Sequence, residues 1–261
     1  MQDSKPEVME ALSRVGITGL RTLVKINWNG NEYKFIPEIE LTMDLPKEKR
    51  GIHMSRLVES ITESIEEETE VKHDSLEELE KHILGRVKEK HPYNRAEILM
   101  KTALVINRET PVTKKKTMET HDVFVSVISD NGDFAKKLVV RVLGNSVCPH
   151  ALKKSDGISH VQRAECFLEI LTGYENRVVL EDMIECVEKA FPSEVYTLLK
   201  VEDEKHVVEK MFQRPRFVED ITRDVLNNAK KRFKGCEIGV KTVSEESIHR
   251  HDVIAEGFCR S

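Results

Sequence analysis

Apolar and polar positions alternate in RTLVKINW (residues 21–28) and again in KFIPEIELTM (34–43). The Asn- and Gly-rich NGNEY separates them, and this pattern predicts a hairpin. The period then changes. MSRLVESITESIEEE (54–68) and SLEELEKHILGRVKEK (75–90) carry apolar residues at helical spacing, and Ser75 is placed to cap the second helix. AEILMKTALVIN (96–107) and HDVFVSVIS (121–129) are rich in β-branched residues and predict a second strand pair, joined by the polar stretch 108–120.

A similar order then recurs. AKKLVVRVLG (135–144) and ECFLEILTGY (165–174) predict strands. LEDMIECVEKAF (180–191) and PRFVEDITRDVLNNAKKRF (215–233) predict helices, and EIGVKTV (237–243) with SIHRHDVIAEGF (247–258) predicts a closing hairpin. The expectation is an α+β protein of two tandem strand-strand-helix-helix-strand-strand units with antiparallel sheets. The units would cover residues 1–133 and 134–261, the second holding most of the candidate metal ligands.

Composition narrows the function. A chain of 261 residues with 39% hydrophobic and 33% charged residues is globular in kind and can bury a substantial core. No apolar run approaches the ~20 residues that span a bilayer, and residues 1–16 lack the apolar core of a signal peptide, so the expected setting is the cytoplasm. A net charge of -5 offers no global field for nucleic acid. Local clusters such as Lys114 to Lys116 remain available to an anionic small molecule. The five cysteines form neither a disulfide framework nor a CxxC pair.

Chemistry concentrates in GNSVCPHALKKSDGISHVQRAE (144–165). Cys148, His150 and His160 suit zinc or ferrous iron, but the same residues also fit a thiol nucleophile with its base, or an ordinary loop. His249 and His251 share one face if HRH is a strand. Glu202, Glu204 and Glu246 add carboxylates, and a mixed set of this kind leaves room for a water, as catalytic sites do. RGIHMSR (50–56) is either a charged helix start or a phosphate site made of helix amides and basic side chains.

DLPKEKRGIHMSR, PVTKKK, CPH with SHVQR, VYTLLKVEDEKHVVEKMFQRPRFVED and ESIHRHD, in that order from Asp44 to Asp252, resemble the GTP cyclohydrolase IB family, and particularly its archaeal branch. The resemblance implies a tunnelling fold, with subunits assembled as homodimers or homotetramers around interfacial active sites. It also implies metal-dependent hydrolysis of GTP at guanine C8, with loss of formate and closure to a dihydroneopterin phosphate. The 2′,3′-cyclic phosphate of methanopterin synthesis is favoured over the triphosphate that leads to folate. A non-catalytic purine- or pterin-binding protein of the same fold is the alternative.

Motif by motif, the implied metal ligands are Cys148, His160, Glu204 and His249, for Fe(II) by preference and otherwise zinc or manganese. Glu219 falls on the purine anchor and Glu246 on a proton-relaying carboxylate, so Cys148, His160 and Glu246 form the implied catalytic set. Arg50, His53, Arg56, Lys114, Lys115, Gln162 and Arg163 are candidate substrate contacts, and His150 and His251 are secondary candidates. One departure stands out: His150 occupies the place where the family commonly has a second cysteine.

Overall fold

The computed structural model describes residues 2–28, 31–67 and 73–261. Its elements are β1 (Leu12–Arg21), β2 (Val24–Trp28), β3 (Asn31–Phe35), β4 (Glu38–Leu45), α1 (Met54–Glu66), α2 (Leu76–Lys90), β5 (Arg95–Glu109), β6 (Lys116–Asp130) and β7 (Asp133–Val147). The chain continues through α3 (Pro149–Lys154), β8 (Val161–Gly173), α4 (Leu180–Glu188), α5 (Val201–Gln213), α6 (Val218–Arg232), β9 (Glu237–Ser244) and β10 (Val253–Arg260). The expected Asn29–Gly30 turn and the last residue of the expected first helix, Glu68, lie outside the described residues.

The tandem tunnelling-fold expectation is overturned. The strands join in one eight-stranded sheet of order β1-β4-β5-β6-β7-β8-β9-β10, with β2 and β3 forming a separate two-stranded ribbon. At the expected boundary there is a tight turn between two 15-residue strands, where Asn131 and Gly132 take φ of 50° and 98°. The element counts do not repeat either. Four strands precede the first helix pair, whereas α3 interrupts the later strands and three helices, α4 to α6, follow β8.

The first expected hairpin also divides differently. Pro37 has no N–H for a ladder and pushes Ile36 away from regular pairing, so the stretch 34–43 breaks into β3 and β4. β3 pairs with β2, while β4 pairs antiparallel with both β1 and β5. At Gly16 in β1 the sheet tolerates no side chain, because a Cβ would lie 1.8 Å from the Leu41 carbonyl oxygen.

Two compact units account for the chain. The first contains residues 1–102, 124–137 and 173–175, and the second residues 103–123, 138–172 and 176–261. In the first, Ser75 caps α2 by accepting from the Glu78 N–H at 3.2 Å, as the sequence predicts. Glu77 and Glu78 in the first turn and Lys88 and Lys90 in the last complement the helix dipole. Leu76, Leu79, Ile83 and Val87 form its buried stripe, each contributing roughly 1.5–3 kcal/mol.

In the second unit α6 packs on β9 and β10, and the Thr222 hydroxyl donates to that of Thr242 at 2.9 Å. Val207 and Met211 of α5 pack against Val147 at the end of β7. Gly144, three residues earlier, leaves space for the Phe191 ring, which a Cβ would meet at 2.4 Å. These contacts fix the end of β7, and Cys148 follows it directly.

Candidate active site

Antiparallel order brings four chain segments together at one end of neighbouring strands: the end of β7, the start of β8, the end of β9 and the start of β10. Ala164 and Val253 both stand opposite Ser244 in the register. The hydroxyls of Ser146 and Ser244 lie 2.8 Å apart, Glu245 N–H donates to the Arg163 carbonyl at 2.9 Å, and Val147 N–H donates to the Arg216 carbonyl at 3.3 Å. A cavity of about 280 Å³ opens there, and its lining includes Cys148, His160, Gln162, Glu219, Glu246 and His249.

Cys148 is the N-cap of α3. Its Sγ accepts from Ala151 N–H at 3.4 Å, and Pro149 occupies the first helical position, where no donor is required. Cys166 and Cys186, by contrast, are buried, and desolvation pushes their thiols up to about 12 and about 11. Cys148 is partly exposed and lines the cavity.

His160 immediately precedes β8. Its Nδ1 donates to Oε1 of Gln162 at 2.9 Å, and the Gln162 amide donates to Oε1 of Glu246 at 3.2 Å. The second Glu246 oxygen lies 3.8 Å from His160 Nδ1. With Nδ1 held in this way, the Nε2 lone pair is the one left to ligate.

His249 and His251 lie in the connection between β9 and β10, since β10 begins only at Val253; the strand expected from residue 247 is corrected accordingly. Their rings nevertheless stack, with centroids 5.2 Å apart and planes 7° from parallel, and His249 meets His160 edge-on at 6.5 Å. Glu219 stands exposed in the first turn of α6, whose start is fixed by Asp220 accepting from Phe217 N–H at 3.3 Å. The cavity wall also contains Arg216, whose Nε is buried without a partner and whose guanidinium lies 3.4 Å from Asp224. Sequence reading did not single out Arg216, although it lies within the quoted block leading to FVED.

The remaining candidates lie elsewhere. Glu204 is exposed on α5 and does not line the cavity, and His150 and Arg163 are exposed outside it. Lys114 and Lys115 are exposed on the turn between β5 and β6. Arg50, His53 and Arg56 lie at the start of α1 in the first unit, with His53 Nε2 3.2 Å from Asp3. Among the described residues, no three His, Cys, Asp or Glu side chains gather closely enough to form a ready metal cluster. The donor chemistry of Cys148, His160 and His249 in one cavity fits a divalent metal all the same.

The family described as type I GTP cyclohydrolase folE2 matches residues 1–255. The chain belongs to that family. This description replaces the narrower type IB label of the sequence reading. The chain is 53% identical over 260 residues to a protein of Thermococcus kodakarensis described as GTP cyclohydrolase MptA, covering 98% of this chain and 97% of that one. It is 50% identical over 261 residues to the protein of the same description from Pyrococcus abyssi, covering 98% of each.

Among solved structures it resembles uricase from Arthrobacter globiformis, with a TM-score of 0.57 at 9% identity over 98% of this chain and 96% of that one. That likeness concerns the fold alone, and it stands in place of the two tandem tunnelling-fold units expected from sequence. Among the described residues, no helix is long and apolar enough to cross a membrane.

Proposed function

We infer that the chain is a GTP cyclohydrolase that opens the guanine ring at C8, releases formate and forms a 7,8-dihydroneopterin phosphate, with the 2′,3′-cyclic phosphate favoured over the triphosphate. The observation that carries this reading is the single cavity joining Cys148, His160, Gln162, Glu219, Glu246 and His249, in a chain of this family. A divalent metal, Fe(II) before zinc or manganese, would be held by Cys148, His160 and His249; Glu204, the fourth ligand that the resemblance implies, lies on α5 outside this cavity. The metal's contribution when bound is Lewis acidity that makes water nucleophilic near neutral pH.

The chain's own residues divide the remaining work. Gln162 fixes the ring of His160 and links it to Glu246, which is placed to accept and return a proton through that contact. Glu219 accepts hydrogen bonds from the guanine N–H and amino groups, as its exposed position on the cavity wall allows. Lys114, Lys115 and Arg163, in the second unit, supply positive charge for the phosphates, and Arg50, His53 and Arg56, in the first unit, are the further phosphate contacts that the resemblance implies.

The reading also includes self-association as a homodimer or homotetramer with composite sites. β1 and β10 are the two ends of the sheet, and Ile254 and Phe258 of β10 are largely exposed. A monomer with full activity in sedimentation at assay concentration would refute this. Free cysteines among the described residues suit a cytoplasmic setting. The activity itself is tested by anaerobic incubation with GTP and iron, followed by assay for formate and for pterin fluorescence after oxidation; GTP binding without either product would favour a non-catalytic binding protein.

A further inference from the structure

We propose that Asp203 is a positioning residue that fixes the Lys114–Lys115 turn, and with it the charge offered to the nucleotide's phosphates. The inference rests on the role given to these lysines under the proposed function.

The Asp203 side chain is fully buried at the start of α5. One of its oxygens accepts from the N–H groups of Val112 at 2.8 Å and Thr113 at 2.9 Å. The other accepts from the Thr113 hydroxyl at 2.5 Å and from Lys200 N–H at 3.1 Å. Four donors match the roughly four lone-pair sites of a carboxylate, so this buried charge is fully satisfied. Three of the four come from the turn before the lysines, some 90 positions away in sequence.

The turn is also closed on itself. Thr110 N–H donates to the Lys115 carbonyl at 2.9 Å, Lys115 N–H donates to the Thr110 hydroxyl at 3.0 Å, and the hydroxyls of Thr110 and Thr113 are 3.0 Å apart. Lys114 takes φ of 54°, a left-handed conformation that a lysine adopts only where the surroundings hold it. A second clasp repeats the arrangement. Glu119, on β6, accepts from the Thr197 hydroxyl at 2.7 Å and from Thr197 N–H at 3.0 Å, and also from the Thr117 hydroxyl at 2.9 Å.

The backbone of residues 110–119 is thus tied at two points to the segment leading into α5, while the ammonium groups of Lys114 and Lys115 stay in solvent. The turn carries two consecutive exposed lysines, whose charge attracts a polyanion. A flexible loop would have to order both lysines at the moment of binding. Asp203 removes that cost beforehand.

The test is steady-state GTP turnover by Asp203→Asn, Thr113→Val, Thr113→Ser and the double variant Lys114→Ala/Lys115→Ala, together with the triple combination with Asp203→Asn. Expected is a KM for GTP raised about tenfold in Asp203→Asn, from loss of charge-assisted hydrogen bonds, with kcat changed less than about threefold. Thr113→Val should be intermediate and Thr113→Ser close to wild type. Once Asp203→Asn is present, removing the lysines should add little, a non-additivity that a purely structural loss would not produce.

If Asp203→Asn fails to fold, Thr113→Val carries the same test. Unchanged KM in Asp203→Asn and Thr113→Val, alongside a raised KM in the lysine variant, would overturn the positioning role while leaving the lysine assignment intact. Unchanged KM in the lysine variant would overturn both.

Discussion

Gln162 donates its side-chain amide to Glu246 at 3.2 Å and accepts from His160 at 2.9 Å, so one buried glutamine joins a ligand candidate to a carboxylate 84 positions away. Gln162→Leu removes both contacts at similar volume. The expected outcome is a loss of about 10- to 100-fold in metal affinity or in GTP turnover, as for other residues that orient a metal-binding imidazole. Metal titration and turnover in parallel check this, and wild-type values for both would show that His160 needs no such support.

Cys148→Ala and His160→Ala should each abolish formate release and leave bound metal well below one equivalent, because an incomplete donor set binds weakly. His150→Ala should be far milder, since His150 is exposed on α3 and outside the cavity. Metal analysis of the purified variants separates these cases. Full occupancy with normal turnover in Cys148→Ala would remove that residue from the site.

Glu219→Gln should keep its metal and bind GTP poorly. The neutral amide turns a donor toward the donors of guanine and loses charge assistance. Calorimetric titration with GTP measures the affinity. Metal loss with unchanged GTP affinity would give Glu219 a ligand's role instead.

Glu80 provides a stability test away from the site. It is fully buried on α2, and neither carboxyl oxygen makes a hydrogen bond of good geometry. Desolvation, reinforced by Glu77, pushes its carboxyl well above the usual carboxylate range, and backbone groups of Met100 and Val127 offset only part of this. The folded state thus keeps the proton while the unfolded chain releases it above about pH 4.3, so stability falls as pH rises from there toward the raised folded value. Glu80→Gln should melt higher than wild type at pH 8, with the difference shrinking toward pH 4. Melting curves whose difference does not depend on pH would contradict the assignment.

Legibility of the fold from sequence followed how local each signal was. α2 was readable because its cap Ser75 and its stripe Leu79, Ile83 and Val87 all lie within one segment. The break at Pro37 had a local signal too, which the alternation around it masked. β1 left little trace, since Leu12–Arg21 is mostly exposed or half-buried with no clean alternation. In α5 the run of carboxylates hides the helical period, although Asp203, Val207 and Met211 recur at helical spacing on its buried face.

Cys148, His160, Glu219, Glu246 and His249, which the structure gathers around one cavity, each stand in a short motif of the sequence. Arg216 and Ser146 have no such motif: Ser146 reaches the cavity through the pairing of distant strands, and Arg216 lies in the connection from α5 to α6, where its carbonyl accepts from Val147 N–H. Glu204 shows the converse: its motif assigns a role that its exposed place on α5 does not by itself display.

The central claim is that the cavity carrying Cys148 opens the guanine ring. The most direct measurement is formate released per GTP consumed, under anaerobic conditions with iron, for the wild type and Cys148→Ala side by side. The account predicts one formate per GTP with a fluorescent pterin after oxidation for the wild type, and neither product for a folded Cys148→Ala. GTP consumed without formate by the wild type, or equal formate from both proteins, would contradict it.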